Sequence, residues 1–202
     1  TPPTGVTLGP SLGPTTGSTV VTLSGMNLLD TGTSGGGEAV CRFGTTDVAA
    51  TLSGCTGGFC SGAACPSPAV SNVSVLEVGL SFNGQQITAV SNFTYYEPPS
   101  VNRTEPTACP ASGGRIVTVT GASLSGGANG TRFCRFESAL KSNGNDIFVD
   151  PPVEVSNMTV PATITGGGQL LCECPYNPLI TSRTLVLEVS LNGQQFTTNK
   201  SP

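Results

Sequence analysis

Cysteine is the residue type whose number and spacing carry most of the chemistry in this sequence. Eight occur, at Cys41, Cys55, Cys60, Cys65, Cys109, Cys134, Cys172 and Cys174, four in each half of a 202-residue chain. There is no histidine, so a mixed Cys/His zinc site is excluded. Cys172-Glu173-Cys174 has no second close pair in its half to complete a four-thiolate site. An even count without metal partners reads as disulfides formed in an oxidising compartment. Four cysteines per half allow three connectivities, and the residues themselves leave all three open.

Six Asn-X-Ser/Thr sequons, at Asn72, Asn92, Asn102, Asn129, Asn157 and Asn199, point to the same compartment and make covalent glycans the expected modification. Other reactive groups are thin. No Ser lies in a G-x-S-x-G elbow, and no carboxylates are paired at a motif spacing. Glu77 and Glu188 sit at similar strand positions and read as solvated strand-edge residues. Asp146 and Asp150 flank residues 147–149 without an EF-hand pattern, which reads as a polar loop. Gly35 to Gly37 and Gly166 to Gly168 are not followed by Lys-Ser/Thr at phosphate-loop spacing, so they read as turns. The expectation is a non-enzymatic chain with no cofactor and no metal.

Charge narrows the partners. The formal net charge is −4, and the 8 Lys plus Arg are scattered singly, which leaves no basic patch to neutralise a phosphate backbone and argues against nucleic acid. No apolar run approaches the roughly 20 residues of a membrane span. The stretch from Thr1 to Pro10 lacks the form of a signal peptide, so the segment reads as mature or excised.

These residues must be held by strands, because the composition is rich in Gly, Thr and Ser and no stretch has amphipathic helical spacing. The clearest element occurs twice. Leu76, Val78, Leu80 and Phe82 alternate as in a half-buried strand, and Asn83-Gly84 supplies a type I′ turn that places Phe82 opposite Gln85 and Leu80 opposite Ile87. Ala89, Ser91, Phe93 and Tyr95 then follow on the Leu80 face, with Gln86, Thr88, Val90 and Asn92 on the other. The second copy repeats the inward row as Leu187, Val189, Leu191 and Phe196 around Asn192-Gly193. Two domains follow, at 1–97 and 98–202, with Glu97-Pro98-Pro99 between them. Residues 1 to 16 have little to bury. Gly17 to Gly25 and Gly113 to Gly121 read as matched early strands, and Cys41-Arg42-Phe43 matches Cys134-Arg135-Phe136, with Cys and Phe on opposite sides or at the strand end. Cys65-Pro66 is matched with Cys174-Pro175. On that matching the second half has 16 extra residues between its cysteines, placed in 138–160.

The order of these motifs, from the Gly17 to Gly25 strand through Cys-Arg-Phe, Cys-Pro and Asn-Gly-Gln-Gln to Phe93-Thr94-Tyr95, resembles the immunoglobulin-like, plexin, transcription-factor (IPT/TIG) family in two tandem copies. The resemblance implies two immunoglobulin-like β-sandwiches, all-β throughout. It also implies the pairing Cys41 with Cys65 and Cys134 with Cys174, which leaves Cys55 with Cys60 and Cys109 with Cys172. The implied function is a glycosylated extracellular or cell-surface structural module within a longer repeat array, with neighbouring copies of itself or other extracellular proteins as partners. The alternative is an adhesion or receptor ectodomain that binds a protein or glycan. A further rival is a carbohydrate-associated module of a secreted enzyme.

Overall fold

Glycine at two matched positions decides where the first long strand of each half begins. Gly17 and Gly113 have φ of 75° and 68°, and a Cβ at either would come within 2.7 Å of backbone at Ala69 or Tyr176. Only glycine combines that conformation with that approach. The strands therefore start about three residues later than the Gly-bounded motifs predict, at Val20 and Ile116. These features come from a computed structural model that describes residues 4–29, 39–82, 85–138, 158–176 and 185–198. The described residues are all strand, turn or irregular. The chain divides into two units, Thr1–Pro98 and Pro99–Pro202.

Unit 1 is an immunoglobulin-like sandwich of two sheets. The strands are β1 (Thr4–Gly9), β2 (Leu12–Pro14), β3 (Val20–Leu29), β4 (Val40–Phe43), β5 (Thr46–Ala49), β6 (Thr51–Ser53), β7 (Phe59–Pro66), β8 (Val75–Ser81) and β9 (Thr88–Tyr96). One sheet runs β1-β3-β7-β6 and the other β2-β9-β8-β4-β5. Between them lie Val21, Leu23, Ala63, Phe43, Val78, Leu80, Phe93 and Tyr95, all buried. Phe93 meets Phe43 and Tyr95 edge-on, with ring centroids 5.6 and 4.9 Å apart, the arrangement that aromatic quadrupoles favour. Cys41 and Phe43 are both fully buried; two apart on one strand, they share the core face rather than opposing each other. The Pro/Gly-rich start also differs from expectation. It pairs as β1 with β3 and, in parallel, as β2 with β9, and Gly13, Pro14 and Thr15 are buried.

Unit 2 contains β10 (Ser100–Glu105), β11 (Ile116–Ala122), β12 (Phe133–Ser138), β13 (Met158–Ile164), β14 (Leu170–Glu173) and β15 (Leu185–Ser190), in the order β10-β11-β14-β13-β12-β15. One strand here does the work of two in unit 1. Met158 to Pro161 pairs with β12 while Ala162 to Ile164 pairs with β14. In unit 1 the same crossing is split into β5 and β6 at Ala50, whose N–H donates to Ala39 O at 2.9 Å, as that of Ala162 does to Arg132 O.

The hairpin register departs from the sequence reading in an instructive way. Leu80 faces Thr88, not Ile87, and beyond a bulge between Val78 and Gly79, which leaves an extra residue on β9, Leu76 faces Phe93. The turn residues Asn83 and Gly84 lie outside the described residues. The loop and the bulge each add one residue of offset. Two single offsets restore the two-residue period, so Phe93 and Tyr95 still reach the core, whereas Thr88 and Ala89 exchange the faces predicted for them. Gln86 is exposed, and Phe82 and Ile87 are half-buried. In unit 2 the return arm makes a bridge at Ser190↔Phe196 and continues with Thr197 N–H to Val189 O at 2.9 Å, the same register. Asn199 lies outside the described residues.

Candidate functional site

The sulfur chemistry is settled by geometry within each unit. Cys41 lies on β4 and Cys65 on β7, one strand from each sheet, and they are joined across the core with Cα atoms 6.3 Å apart. Cys134 on β12 is joined in the same way to Cys172 on β14, with Cα atoms 6.2 Å apart. The other bridges are Cys55 to Cys60 and Cys109 to Cys174, and no cysteine is free. The pairings Cys134 with Cys174 and Cys109 with Cys172 implied by the resemblance are therefore corrected.

The physical reason is a two-residue misalignment at Cys-Pro. Val21 pairs with Cys65 and Val117 with Cys172, so Cys65 corresponds to Cys172 and Ser67 to Cys174. Hydrogen bonds agree. Ser18 N–H donates to Ser67 O at 2.8 Å, and Gly114 N–H donates to Cys174 O at 2.9 Å. Strand alternation keeps Cys174 on the same buried side as Cys172, but two residues further on and past the end of β14, where it is bonded to Cys109 in the segment before Gly113. The cross-core bridges span 24 and 38 residues, so unit 2 carries 14 extra residues between them rather than 16. Most of the predicted insertion, 139–157, lies outside the described residues, as do Asp146, Asp150, Gly35 to Gly37 and sequon Asn157. Gly166 to Gly168 forms a turn, with Gly168 N–H donating to Thr165 O at 3.0 Å.

The two Cys-Arg-Phe arginines sit on outer sheet faces in different company. Arg42 makes two parallel hydrogen bonds to Asp47 at 2.6 and 2.7 Å on an open surface. That contact holds the Asp47 carboxyl below its ordinary range. Arg135 instead donates to Glu188 through Nε at 3.0 Å and also through its terminal nitrogen, while Phe196 covers it with 4.1 Å from guanidinium carbon to ring centroid. Glu188 is only 3% exposed. Two sequence expectations change here. Glu188 is not a solvated edge residue but half of a covered ion pair, and its counterpart across from Arg42 is Gly79, not Glu77. Phe196 is not inward: through Ser190 and Phe133 it shares the outer face with Arg135.

A further buried cation, Arg132, was not singled out by sequence. Its guanidinium donates to the carbonyls of Gly126, Ser125 and Gly127 at 2.9, 3.2 and 2.7 Å and to Asn129 Oδ1 at 3.4 Å. It thereby folds the loop that carries the Asn129 sequon, whose Thr131 hydroxyl donates to Leu191 O at 2.7 Å. Alternation around Cys134 was a usable signal for the outer Arg135, but nothing in the sequence marks Arg132 as a carbonyl ligand.

Of the sequons, Asn72, Asn92, Asn102 and Asn129 are all exposed. Asn92 stands on β9 directly across from Glu77. An open groove of about 450 Å³ in unit 2 is lined by Ser112, Gly114, Pro161, Glu173 and the exposed Tyr176. Among the described residues no cluster of three His, Cys, Asp or Glu could hold a metal ion. Among the described residues, no helix is long and apolar enough to cross a membrane. The arrangement can cross-link a fold covalently, present a rigid polar surface and accept sugar.

Comparison with known proteins agrees with this picture. A model of the IPT/TIG domain matches residues 99–201, essentially unit 2. No curated protein matches the chain. Among solved structures the chain is similar to the full extracellular region of plexin A4, domains 1 to 10, at 18% identity with a TM-score of 0.55, covering 94% of this chain and 15% of that one. A second plexin A4 extracellular structure, domains 1 to 8, gives 16% identity and 0.48 over 95% of this chain and 17% of that one. The D0-D1 domain of intimin gives 11% and 0.31 over 94% and 91%. The chain thus spans about a sixth of the length of the plexin chains it matches, and identities this low speak to fold.

Proposed function

Because the chain belongs to the IPT/TIG domain family, we propose that it is a two-domain segment of an extracellular or cell-surface ectodomain that binds a protein or glycan partner through its sheet faces and loops and carries out no catalysis. In this reading unit 1 is a second, divergent IPT/TIG domain. Its support is position by position: Gly17 with Gly113, Cys41 with Cys134, Cys65 with Cys172, and the crossing at Ala50 with that at Ala162. The observation that carries the extracellular assignment is the closure of all eight cysteines in disulfides inside their own units, which a reducing compartment would not maintain. The fold likeness over 94% of the chain to the extracellular region of plexin A4 supports the ectodomain reading over a self-assembling repeat.

The two readings separate in solution. A binding ectodomain secreted with its disulfides stays monomeric across a wide concentration range and attaches saturably to the surface of partner-bearing cells. A structural repeat forms concentration-dependent chains by sedimentation. Chain formation without cell attachment would replace the ectodomain reading with the array.

A further inference from the structure

Val75 is 60% exposed at the start of β8, where it pairs with β9 but lies beyond the stretch that pairs with β4, Val78 to Ser81. Alternation with the buried Val78 and Leu80 puts Val75 on the outer sheet face. Thr94 lies directly opposite it and Asn92 directly opposite Glu77, so Asn92 is the diagonal neighbour of Val75. Such a neighbour is about 7 to 8 Å away on the same face. Asn92, Thr94 and Glu77 are all exposed, and Asn92-Phe93-Thr94 is a complete acceptor sequence. The middle residue, Phe93, is fully buried, which fixes Asn92 and Thr94 outward by strand alternation.

We infer that Asn92 carries an N-linked glycan whose first sugar lies back along the sheet and covers Val75. The inference rests on the extracellular reading. An N-acetylglucosamine ring has one face of C–H groups and an acetyl methyl, and its linkage to Asn92 Nδ2 reaches across one diagonal. The apolar face meets the valine while the hydroxyls stay in water. Glu77, beside the attachment point, offers acceptor oxygens to those hydroxyls. The sugar is thus a covalently supplied cover for an apolar spot that the polypeptide leaves open on unit 1. It occupies the outer face of the β8–β9 pair and excludes that face as a protein-docking surface.

The test uses the full chain made in a secretory host that adds N-glycans. Glycopeptide mass spectrometry should find Asn92 occupied. Thermal unfolding of the parent, Asn92→Gln, Val75→Thr and the double variant then forms a cycle. Asn92→Gln should lower the Tm of unit 1 by about 4 °C, and in the Val75→Thr background most of that loss should vanish. Enzymatic trimming to the first sugar should keep the parent Tm, whereas complete removal should reproduce Asn92→Gln. Bare Asn92, additive effects of the two substitutions, or dimerisation through this face in the glycosylated parent would each overturn the inference. Sugar on Asn72, Asn102 or Asn129 in the same map would leave the extracellular reading standing after such a failure, and sugar on none would count against both.

Discussion

Ser67 and Cys174 occupy the same place in the two units and secure it by different chemistry. Each offers its carbonyl to the amide after the positive-φ glycine, at 2.8 Å to Ser18 and 2.9 Å to Gly114. In unit 1 the Ser67 hydroxyl accepts the N–H of Thr19 at 3.1 Å, and the neighbouring segment is held by β2 pairing with β9, including Thr15 N–H to Tyr96 O at 2.9 Å. In unit 2 the corresponding segment contains Cys109 and is tied by the bridge to Cys174. The lesson is that one backbone frame accepts either a strand or a covalent bond at its opening, and the difference turns on a single buried side chain, Ser67 or Cys174.

The comparison breaks most visibly by removing the bridge. Cys109→Ala with Cys174→Ser gives unit 2 the serine of unit 1 without its strand. It should cost roughly 4 kcal/mol on the chain-entropy model, because this bridge spans the longest loop of the four, 65 residues. Calorimetry of the full chain should show one transition move down and the other stay. Movement of both would contradict independent units.

Glu188→Ala is the next largest. It leaves Arg135 under Phe196 without its carboxylate, and a loss of about 2 to 3 kcal/mol is expected, discounted because Arg135 is 28% exposed on its side chain. Chemical denaturation measures it, and Glu188→Ala with Arg135→Met should recover much of the loss. Tyr95→Phe follows at about 1 kcal/mol, since the Tyr95 hydroxyl donates to Pro68 O at 3.0 Å. Burial pushes that hydroxyl up to about 12 from an ordinary value of 10. A raised acid keeps its proton in the folded state, so its contribution is complete below pH 10 and is lost as pH rises from 10 toward 12. Tyr96 is pushed up for the same reason, so Tyr95→Phe should make the alkaline loss shallower without abolishing it. Asp47→Asn is the smallest. Arg42 and Asp47 meet in water, and the unfolding midpoint at neutral pH should not move measurably.

Why some of this was legible and some not follows from particular residues. Alternation at Leu76, Val78 and Leu80 and the repeated Asn-Gly placed the hairpins and the core rows, because burial on one face imposes a period of two. The bulge on β9 was invisible because an inserted residue changes register without changing composition. Cys-Pro misled because proline follows both Cys65 and Cys174, and alternation could not expose the error, since Cys172 and Cys174 share one phase and only the pairing of Val117 with Cys172 separates them. Phe196 misled because an aromatic residue in a strand pattern reads as core, whereas here it covers a cation on the outside. Composition gave no reason to expect strands before Gly17, since β1 and β2 are fixed by backbone pairing more than by their own side chains.

The parallel pairing of β2 with β9 has a mechanical consequence. These strands lie near opposite ends of unit 1, so tension applied at the ends pulls them in opposing directions along their length. The pairs at Leu12, Gly13 and Pro14 are then loaded in shear, all at once, instead of being unzipped one by one. In unit 2 the same pull passes through the Cys109–Cys174 bond and bypasses the residues between. A loop closed by a disulfide lengthens only after reduction, so force alone can extend more of unit 1, where Cys41–Cys65 closes 24 residues, than of unit 2, where Cys109–Cys174 closes 65.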